Sequence, residues 1–449
     1  MGRLFGTDGI RGIANTYPIT AEIAMKVGAA VASVLRRNAH RPKILIGKDT
    51  RLSGYMLEYA MTSGICSMGV DVYLVGPLPT PGIAFITRDM RADAGIVISA
   101  SHNPYEYNGI KIFGGDGYKL PDEIEKKLEE IIFNFAEISL APFDRIGRAK
   151  RIEDVQGRYI VFLKHTFPPN LGLEGIKLVV DCANGAAYRV APLVFQELGA
   201  NVVTMGVQPD GRNINDRCGA LFPERMCEMV RQEGAQAGIA FDGDADRVIM
   251  ADEKGNVLDG DVLMAICAEQ MIREERLPGM TVVATVMSNL GLEKALQSMN
   301  ARLVRTPVGD RYVVEEMKKN GYRLGGEQSG HIVFLDHNTT GDGILSALQV
   351  LSIMIKKGKP LSELAKVVEK FPQKVVNIPI PNGTRLWDIP GIKEHIASLE
   401  NRLGNDGRIL VRPSGTEPVV RVMVEALRED LIEETIAEAV CFIEKHLAA

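Results

Sequence analysis

The feature that most constrains this chain is a recurrence. Short β-branched runs that end in glycine, asparagine, aspartate or serine come in threes, separated by stretches with helical periodicity. The first set is KILIGKDTR (43–51), VDVYLVG (70–76) and AGIVISASHN (94–103). The second is KLVVDCANG (177–185), ANVVTMG (200–206) and AGIAFDGDADR (237–247). The third is TVVATVMSNLG (281–291), ARLVRTPVG (301–309) and YRLGGEQSGHIVF (322–334). Each set reads strand–helix–strand–helix–strand, which argues for βαβ units. The copies share a pattern rather than a wording. After about residue 370 the pattern changes, with KVVNIPI (374–380), RILVRPS (408–414) and VVRVMVEA (419–426) reading as antiparallel strands before a last helix near 429–447. The expected fold class is α/β: three similar α/β domains with mixed sheets, then a smaller C-terminal α+β domain. The boundaries fall at 1–155, 156–256, 257–368 and 369–449.

Composition narrows the function. The 449 residues are 46% hydrophobic and 24% charged, with a net charge of −5 spread along the chain. That balance calls for neither nucleic acid nor an acidic membrane surface. No apolar run reaches the ~18 residues of a membrane span, and the amino terminus MGRLFGTDGI has no hydrophobic leader. Six scattered cysteines without a C-x-x-C pair read as reduced, mostly packed thiols. A cytoplasmic protein is expected.

The most polar motifs sit at the end of the third run of each set. In α/β sheets ligands bind beyond the carboxyl ends of the strands, so three copies of one architecture would offer three different loops to a shared cleft. FDGDADR presents Asp242, Asp244 and Asp246 at alternate positions. Three such carboxylates suit a hard divalent cation, Mg²⁺ first. A solvated acidic turn is the plain alternative. The twelve-residue calcium loop fails, because Arg247 stands where it needs glycine and strands flank the motif where helices belong. An aspartyl-phosphate phosphatase with Asp242 as nucleophile leaves the other motifs without a task.

ISASHNPYEYNGIKIF (98–113) delivers Ser101 and His102 to an open strand end, where the hydroxyl is expected to be exposed. Asn103-Pro104 looks like a helix cap followed by proline at the first helical position. No nucleophile elbow or Ser-His-Asp set accompanies the serine. Its sharper role is to carry a phosphoryl group, adding about −1.5 to −2 of charge. Beside three aspartates this makes a cluster near about −5, which needs a metal and several cations. Arg11, Lys111 and Arg247 are the candidates. GEQSGH (326–331) sets Glu327, Ser329 and His331 at alternate positions, hence on one face suited to sugar hydroxyls, with a polar turn as the alternative. RPSGTEP (412–418) combines Arg412, Ser414, the Gly415 backbone and Thr416 with Arg421 on the next strand, a nest for a phosphate. No Walker or dinucleotide fingerprint is present.

In this order FGTDGIRG, ASHNP, DGDADR, GEQSGH and RPSGTEP resemble the α-D-phosphohexomutase superfamily, from Phe5 to Arg421. The resemblance implies four domains in a heart-shaped arrangement. It implies a phosphorylated Ser101 that also completes an Mg²⁺ site on Asp242, Asp244 and Asp246. Glu327 and Ser329 would recognise the sugar together with the TPVGDR loop (Thr306, Gly309). Arg412, Ser414, Gly415, Thr416 and Arg421 would clamp the phosphate not being transferred. Arg11, His102, Lys111, Arg247 and His331 would balance charge and move protons. The implied reaction interconverts the 6- and 1-phosphates of a sugar through a 1,6-bisphosphate that doubles as activator. The wording of the motifs favours glucosamine, a step that supplies UDP-N-acetylglucosamine and cell-wall synthesis. The partners implied are small sugar phosphates and a second copy of the chain in a homodimer, with no nucleic acid and no membrane. A phosphatase and a non-catalytic sugar-phosphate sensor are the competing classes.

Overall fold

The computed structural model describes residues 4–6, 8–35, 42–381, 386–413 and 419–447. Three sheets repeat one strand order, which explains the recurrence in the sequence. The first contains β1 (Ile10–Ile13), β2 (Lys43–Lys48), β3 (Asp71–Pro77), β4 (Ala94–Ile98), β5 (Tyr107–Gly114) and β6 (Ala149–Arg151), in the order β1-β5-β4-β2-β3-β6. The second contains β7 (Lys177–Asp181), β8 (Asn201–Met205), β9 (Ala237–Phe241), β10 (Val248–Ala251) and β11 (Val257–Leu258), in the order β11-β10-β9-β7-β8. The third contains β12 (Thr281–Thr285), β13 (Arg302–Thr306), β14 (Leu324–Gly326) and β15 (Ile332–Phe334), in the order β13-β12-β14-β15.

In all three, the second run lies beside the first, the first beside the third, and the third beside a following strand. That following strand is antiparallel: β5 on β4, β10 on β9 and β15 on β14. The central strands β4, β7 and β9 are almost wholly buried, as strands with helices on both faces must be. That is why they read as continuous Val, Ile and Ala runs rather than as alternating ones.

The consequence for function is positional. Ser101 lies in the turn from β4 to β5, the three aspartates in the turn from β9 to β10, and Glu327 to His331 in the turn from β14 to β15. Each polar motif occupies the same topological place in its own sheet.

The chain forms two compact units, Met1–Thr285 with Val304–Lys366, and Val286–Leu303 with Val367–Ala449. The second unit contains the antiparallel sheet β16 (Gln373–Pro379), β17 (Gly407–Pro413) and β18 (Val419–Ala426), in the order β16-β18-β17. Val420, Val422 and Val424 point alternately inward from β18 onto the helices Ile392–Leu403 and Glu429–Leu447. The helix Leu290–Ser298 belongs to this unit. Asn289 caps it through Gly291 N (2.9 Å) and exchanges two hydrogen bonds with the Phe371 backbone (3.0 Å each).

The six cysteines are free thiols and four of them are buried. Among the described residues, no helix is long and apolar enough to cross a membrane.

Candidate active site

Ser101 is not exposed. Its accessible surface is 1% of the full value, and residues 101–106 form turns that run straight into β5, so Asn103-Pro104 caps no helix. The reason is packing from a neighbouring sheet. A Cβ on Gly243, in the aspartate loop, would stand 2.6 Å from the Ser101 carbonyl oxygen, so only glycine allows the two loops to approach so closely. Ser101 itself has φ +52°, the left-handed region that non-glycine residues rarely adopt.

The approach brings the Ser101 hydroxyl to Asp242, to which it donates at 2.5 Å (Oδ2), with His102 Nδ1 3.5 Å from the same oxygen. Asp242, Asp244 and Asp246 are all buried, and one oxygen from each lies within 4.8 Å of the others. Asp244 Oδ2 accepts from Thr80 Oγ1 (2.6 Å) and Lys111 Nζ (2.9 Å), and Asp246 Oδ2 from Lys111 (3.3 Å). Asp244 Oδ1 and Asp246 Oδ1 are buried and accept no hydrogen bond. A buried carboxylate oxygen in this state is costly unless something cationic meets it; Arg247 and His331 approach Asp246 Oδ1 (3.8 and 3.7 Å), so the need falls most on Asp244 Oδ1. Hard oxygen donors converging at this spacing fit a divalent cation.

The electrostatics agree. Burial, and then the charges of Asp246 and Asp244, push the Asp242 carboxyl well above its ordinary pKa. Burial acts the same way on Asp246, but Lys111, His331 and Arg247 outweigh it and hold that carboxyl well below the usual range. His102 is pushed down to about 4 by burial and then by Arg247 and Arg11, so its ring is neutral at pH 7. Arg247 reaches the triad twice, donating its backbone N–H to Asp242 Oδ1 (3.2 Å) and placing Nε 3.8 Å from Asp246.

Behind the aspartates lies a closed ring of alternating charge. Lys111 bridges Asp246 (3.3 Å) and Asp8 (3.2 Å). Asp8 pairs with Lys119, Lys119 with Asp310 (2.5 Å), Asp310 with His331 (3.5 Å), and His331 with Asp246 (3.7 Å). Arg11 joins it through Asp8. His331 is therefore not presented to a sugar hydroxyl. It is buried, and burial is outweighed by Asp246 and then Asp310, so its pKa is raised.

The alternation expected in GEQSGH is absent because Glu327–Gly330 closes a turn (Gly330 N to Glu327 O, 3.0 Å) with Gly330 at φ +90°. Ser329 is exposed at its tip and Glu327 is half-buried. Glu327 Oε1 accepts from Gly309 N (3.2 Å), which joins the GEQSGH and TPVGDR loops. The Thr306 hydroxyl is buried and donates to Pro307 O (3.1 Å).

In the second unit Arg412 and Arg421 are register partners across β17 and β18. Burial and then Arg421 lower the Arg412 pKa, as two facing guanidinium groups require. Ser414, Gly415 and Thr416 lie outside the described residues.

Sequence reasoning missed several residues here. Asp8 and Asp310 sit inside quoted motifs, and the alternation of acids and bases across FGTDGIRG and TPVGDR was their only signal. Arg51, Asp49 and Asn215 gave none, since arginine and asparagine are ordinarily surface residues. Arg51 is nonetheless fully buried, and all its guanidinium nitrogens donate. Nε donates to Asp49 Oδ2 (2.8 Å). Nη1 donates to the carbonyls of Pro104 and Tyr107 (3.1 Å), and Nη2 to those of Ser101 (2.9 Å) and Asn103 (2.7 Å).

Comparison with known proteins follows the same lines. Family models of phosphoglucomutase/phosphomannomutase match four segments: alpha/beta/alpha domain I at 2–138, domain II at 158–255, domain III at 259–371 and the C-terminal domain at 375–441. The chain is 58% identical to the phosphoglucosamine mutase of Myxococcus xanthus over 97% of its length and 96% of the relative's. It is 60% identical to that of Citrifermentans bemidjiense, covering 96% and 95%. A solved phosphoglucomutase/phosphomannomutase family protein from Burkholderia thailandensis shares the fold, with a TM-score of 0.82 at 24% identity, covering 99% of this chain and 97% of that one.

Proposed function

The chain belongs to the phosphoglucomutase/phosphomannomutase family, and from that premise we propose that it interconverts glucosamine 6-phosphate and glucosamine 1-phosphate through a phosphorylated Ser101 and a 1,6-bisphosphate. The geometry that carries the proposal is the Ser101 hydroxyl 2.5 Å from Asp242, beside Asp244 and Asp246, each with a buried oxygen that accepts no hydrogen bond. The choice of sugar rests on the relatives at 58% and 60% identity that carry the phosphoglucosamine mutase name.

In the first half-reaction the P–Oγ bond of phospho-Ser101 breaks and a bond from phosphorus to the sugar O1 forms, the O1 proton passing to a base and the freed Ser101 Oγ taking up a proton. The bisphosphate turns round. Ser101 Oγ then attacks the phosphorus of the 6-phosphate and gives up its proton, the P–O6 bond breaks and O6 takes up a proton, leaving phospho-Ser101 and glucosamine 1-phosphate. For the Ser101 proton two acceptors are in reach, Asp242 Oδ2 at 2.5 Å and His102 Nδ1 at 3.5 Å. Asp242, Asp244, Asp246 and Ser101 would hold Mg²⁺, which when bound neutralises charge on the transferring phosphoryl group. Lys111, Arg11 and Arg247 add fixed positive charge on the same side, and positioning with electrostatics supplies most of the catalysis in such transfers. Glu327 and Ser329, with Thr306 and Gly309, would bind the sugar. Arg412 and Arg421, two cations drawn face to face, would hold the idle phosphate together with Ser414, Gly415 and Thr416.

The proposal extends to four domains near 1–155, 156–256, 257–368 and 369–449, a cytoplasmic location and a homodimer.

The test is a ³¹P NMR time course with Mg²⁺ and a trace of sugar 1,6-bisphosphate on glucosamine, glucose and mannose 6-phosphates. An anomeric phosphate signal growing fastest from glucosamine is expected. Release of inorganic phosphate alone would mean a phosphatase, and binding without turnover a sensor.

A further inference from the structure

The segment that carries Ser101 has no regular structure of its own. Residues 99–106 make no ladder or helix, yet Oγ must be held to within a fraction of an ångström of Asp242. What holds it comes from two directions. The carbonyl oxygens of Ser101 and Asn103 each accept from Arg51 Nη2 (2.9 and 2.7 Å) and each also from Asn215 Nδ2 (2.9 and 3.0 Å). Arg51 follows β2 of the first sheet, whereas Asn215 precedes β9 of the second.

Both partners are themselves anchored. Asp49 accepts from Arg51 Nε and N and from Ser99 Oγ (2.6 Å), and Ser99 Oγ accepts from Ser101 N (2.9 Å). Asn215 N donates to Ala183 O (2.9 Å), in the loop after β7. Between Arg51 and Asn215 the segments cross-link again, Thr50 Oγ1 to Asn184 O (2.6 Å) and Leu52 N to Gly211 O (2.9 Å).

We propose that Arg51 and Asn215 are positioning residues that together clasp the two carbonyls flanking His102, and so set Ser101 Oγ in register with the aspartate loop. The inference rests on the proposed phosphoryl transfer and adds residues to it that touch neither substrate nor metal. A guanidinium is required on one side because its planar fork reaches several carbonyls at once, which a lysine ammonium does not do. With either donor lost, Ser101 keeps its chemistry but loses its place. A displacement of about 1 Å costs about 100-fold in rate.

The experiment compares wild type with Arg51→Lys, Asn215→Ala and the double variant, each first shown to be folded by circular dichroism. Three readings are taken: kcat and KM for glucosamine 6-phosphate, the fraction of Ser101 phosphorylated after incubation with the sugar 1,6-bisphosphate, and inorganic phosphate released per turnover. The clasp predicts kcat down about 100-fold for Arg51→Lys and about 10-fold for Asn215→Ala. KM should stay within about threefold of wild type, since substrate-binding groups are untouched. More phosphate should leak to water per turnover, because a misplaced phosphoserine is less shielded. The double variant should lose less than the product of the single losses, because both donors act on the same two oxygens. Folded variants with wild-type kcat and leakage would overturn the clasp. So would a kcat loss that tracks only the folded fraction. If wild type itself turns over none of the sugars, the proposed function fails instead. The fraction of Ser101 phosphorylated by the bisphosphate then still reports whether the variants displace it.

Discussion

Gly243 shows how much a single residue decides here. A methyl group at this position would meet the Ser101 carbonyl oxygen at 2.6 Å, Ile214 Cδ1 at 2.8 Å and Asn215 Nδ2 at 2.9 Å. The isoleucine end can swing aside, but the carbonyl cannot withdraw without moving the serine loop, nor Asn215 Nδ2 without loosening its hold on that loop. Gly243→Ala should therefore fold and lose at least about 10-fold in kcat, measured under saturating substrate; unchanged turnover would show that the loops have slack.

Asp342 makes a different point at the same scale. It caps the helix Gly343–Lys357 through Leu345 N (3.0 Å) and accepts from Tyr159 Oη (2.8 Å) and Asn338 Nδ2 (3.1 Å). Burial still raises its pKa to about 6 against those hydrogen bonds. A folded-state value above the unfolded one means that the native state holds the proton more tightly. Its contribution to stability is thus full below about pH 4 and fades as pH rises through about 6. Asp342→Asn keeps the cap and cannot ionise. Relative to wild type it should gain about 3 kcal/mol between pH 4 and pH 7, read from urea unfolding at both values. Parallel stability curves for the two proteins would refute this.

Elements were the most legible level in the sequence. The helices are legible from their 3.6-residue period and the central strands from continuous apolar runs, because each pattern follows from which faces are buried. Local misreadings occurred where a short polar stretch admitted two backbones. GEQSGH alternates on paper, but Gly330 at positive φ folds it into a turn, which buries His331 and exposes Ser329. Asn103-Pro104 carries the letters of a helix start, yet Arg51 takes the carbonyls there and the chain goes on into a strand. The aspartate triad was legible because its residues are adjacent. The ring through Asp8, Lys119 and Asp310 was not, since it closes across residues 8 to 331 and only folding brings them together. Asn289 offers a test at this scale. It caps the helix Leu290–Ser298 and satisfies both polar groups of the Phe371 backbone. Asn289→Ala removes all three bonds and should cost the second unit about 2–4 kcal/mol. Hydrogen exchange of the helix amides should accelerate accordingly, and unchanged protection would show that the cap is redundant.

For the molecule as a whole, the buried aspartates impose a dependence on cations. Native-state binding stabilises in proportion to the logarithm of ligand concentration over its dissociation constant, giving about 2.7 kcal/mol at a hundredfold excess. Mg²⁺ should raise the midpoint of thermal unfolding by a few degrees and a chelator should reverse it. Asp244→Asn should abolish the shift, and a shift that survives in that variant would place the cation elsewhere. The threefold strand order has a further consequence for anyone wishing to rebuild this protein. The sheets and their helices form a chassis that is the same each time, while the turn beyond the third strand differs: one bears an alcohol, one a trio of acids, one a glutamate with an imidazole. Much of the specialisation falls in three segments of five to eight residues. A new reactive group exchanged at one turn leaves the scaffold under all three as it is, provided that the close packing of the serine and aspartate turns is kept.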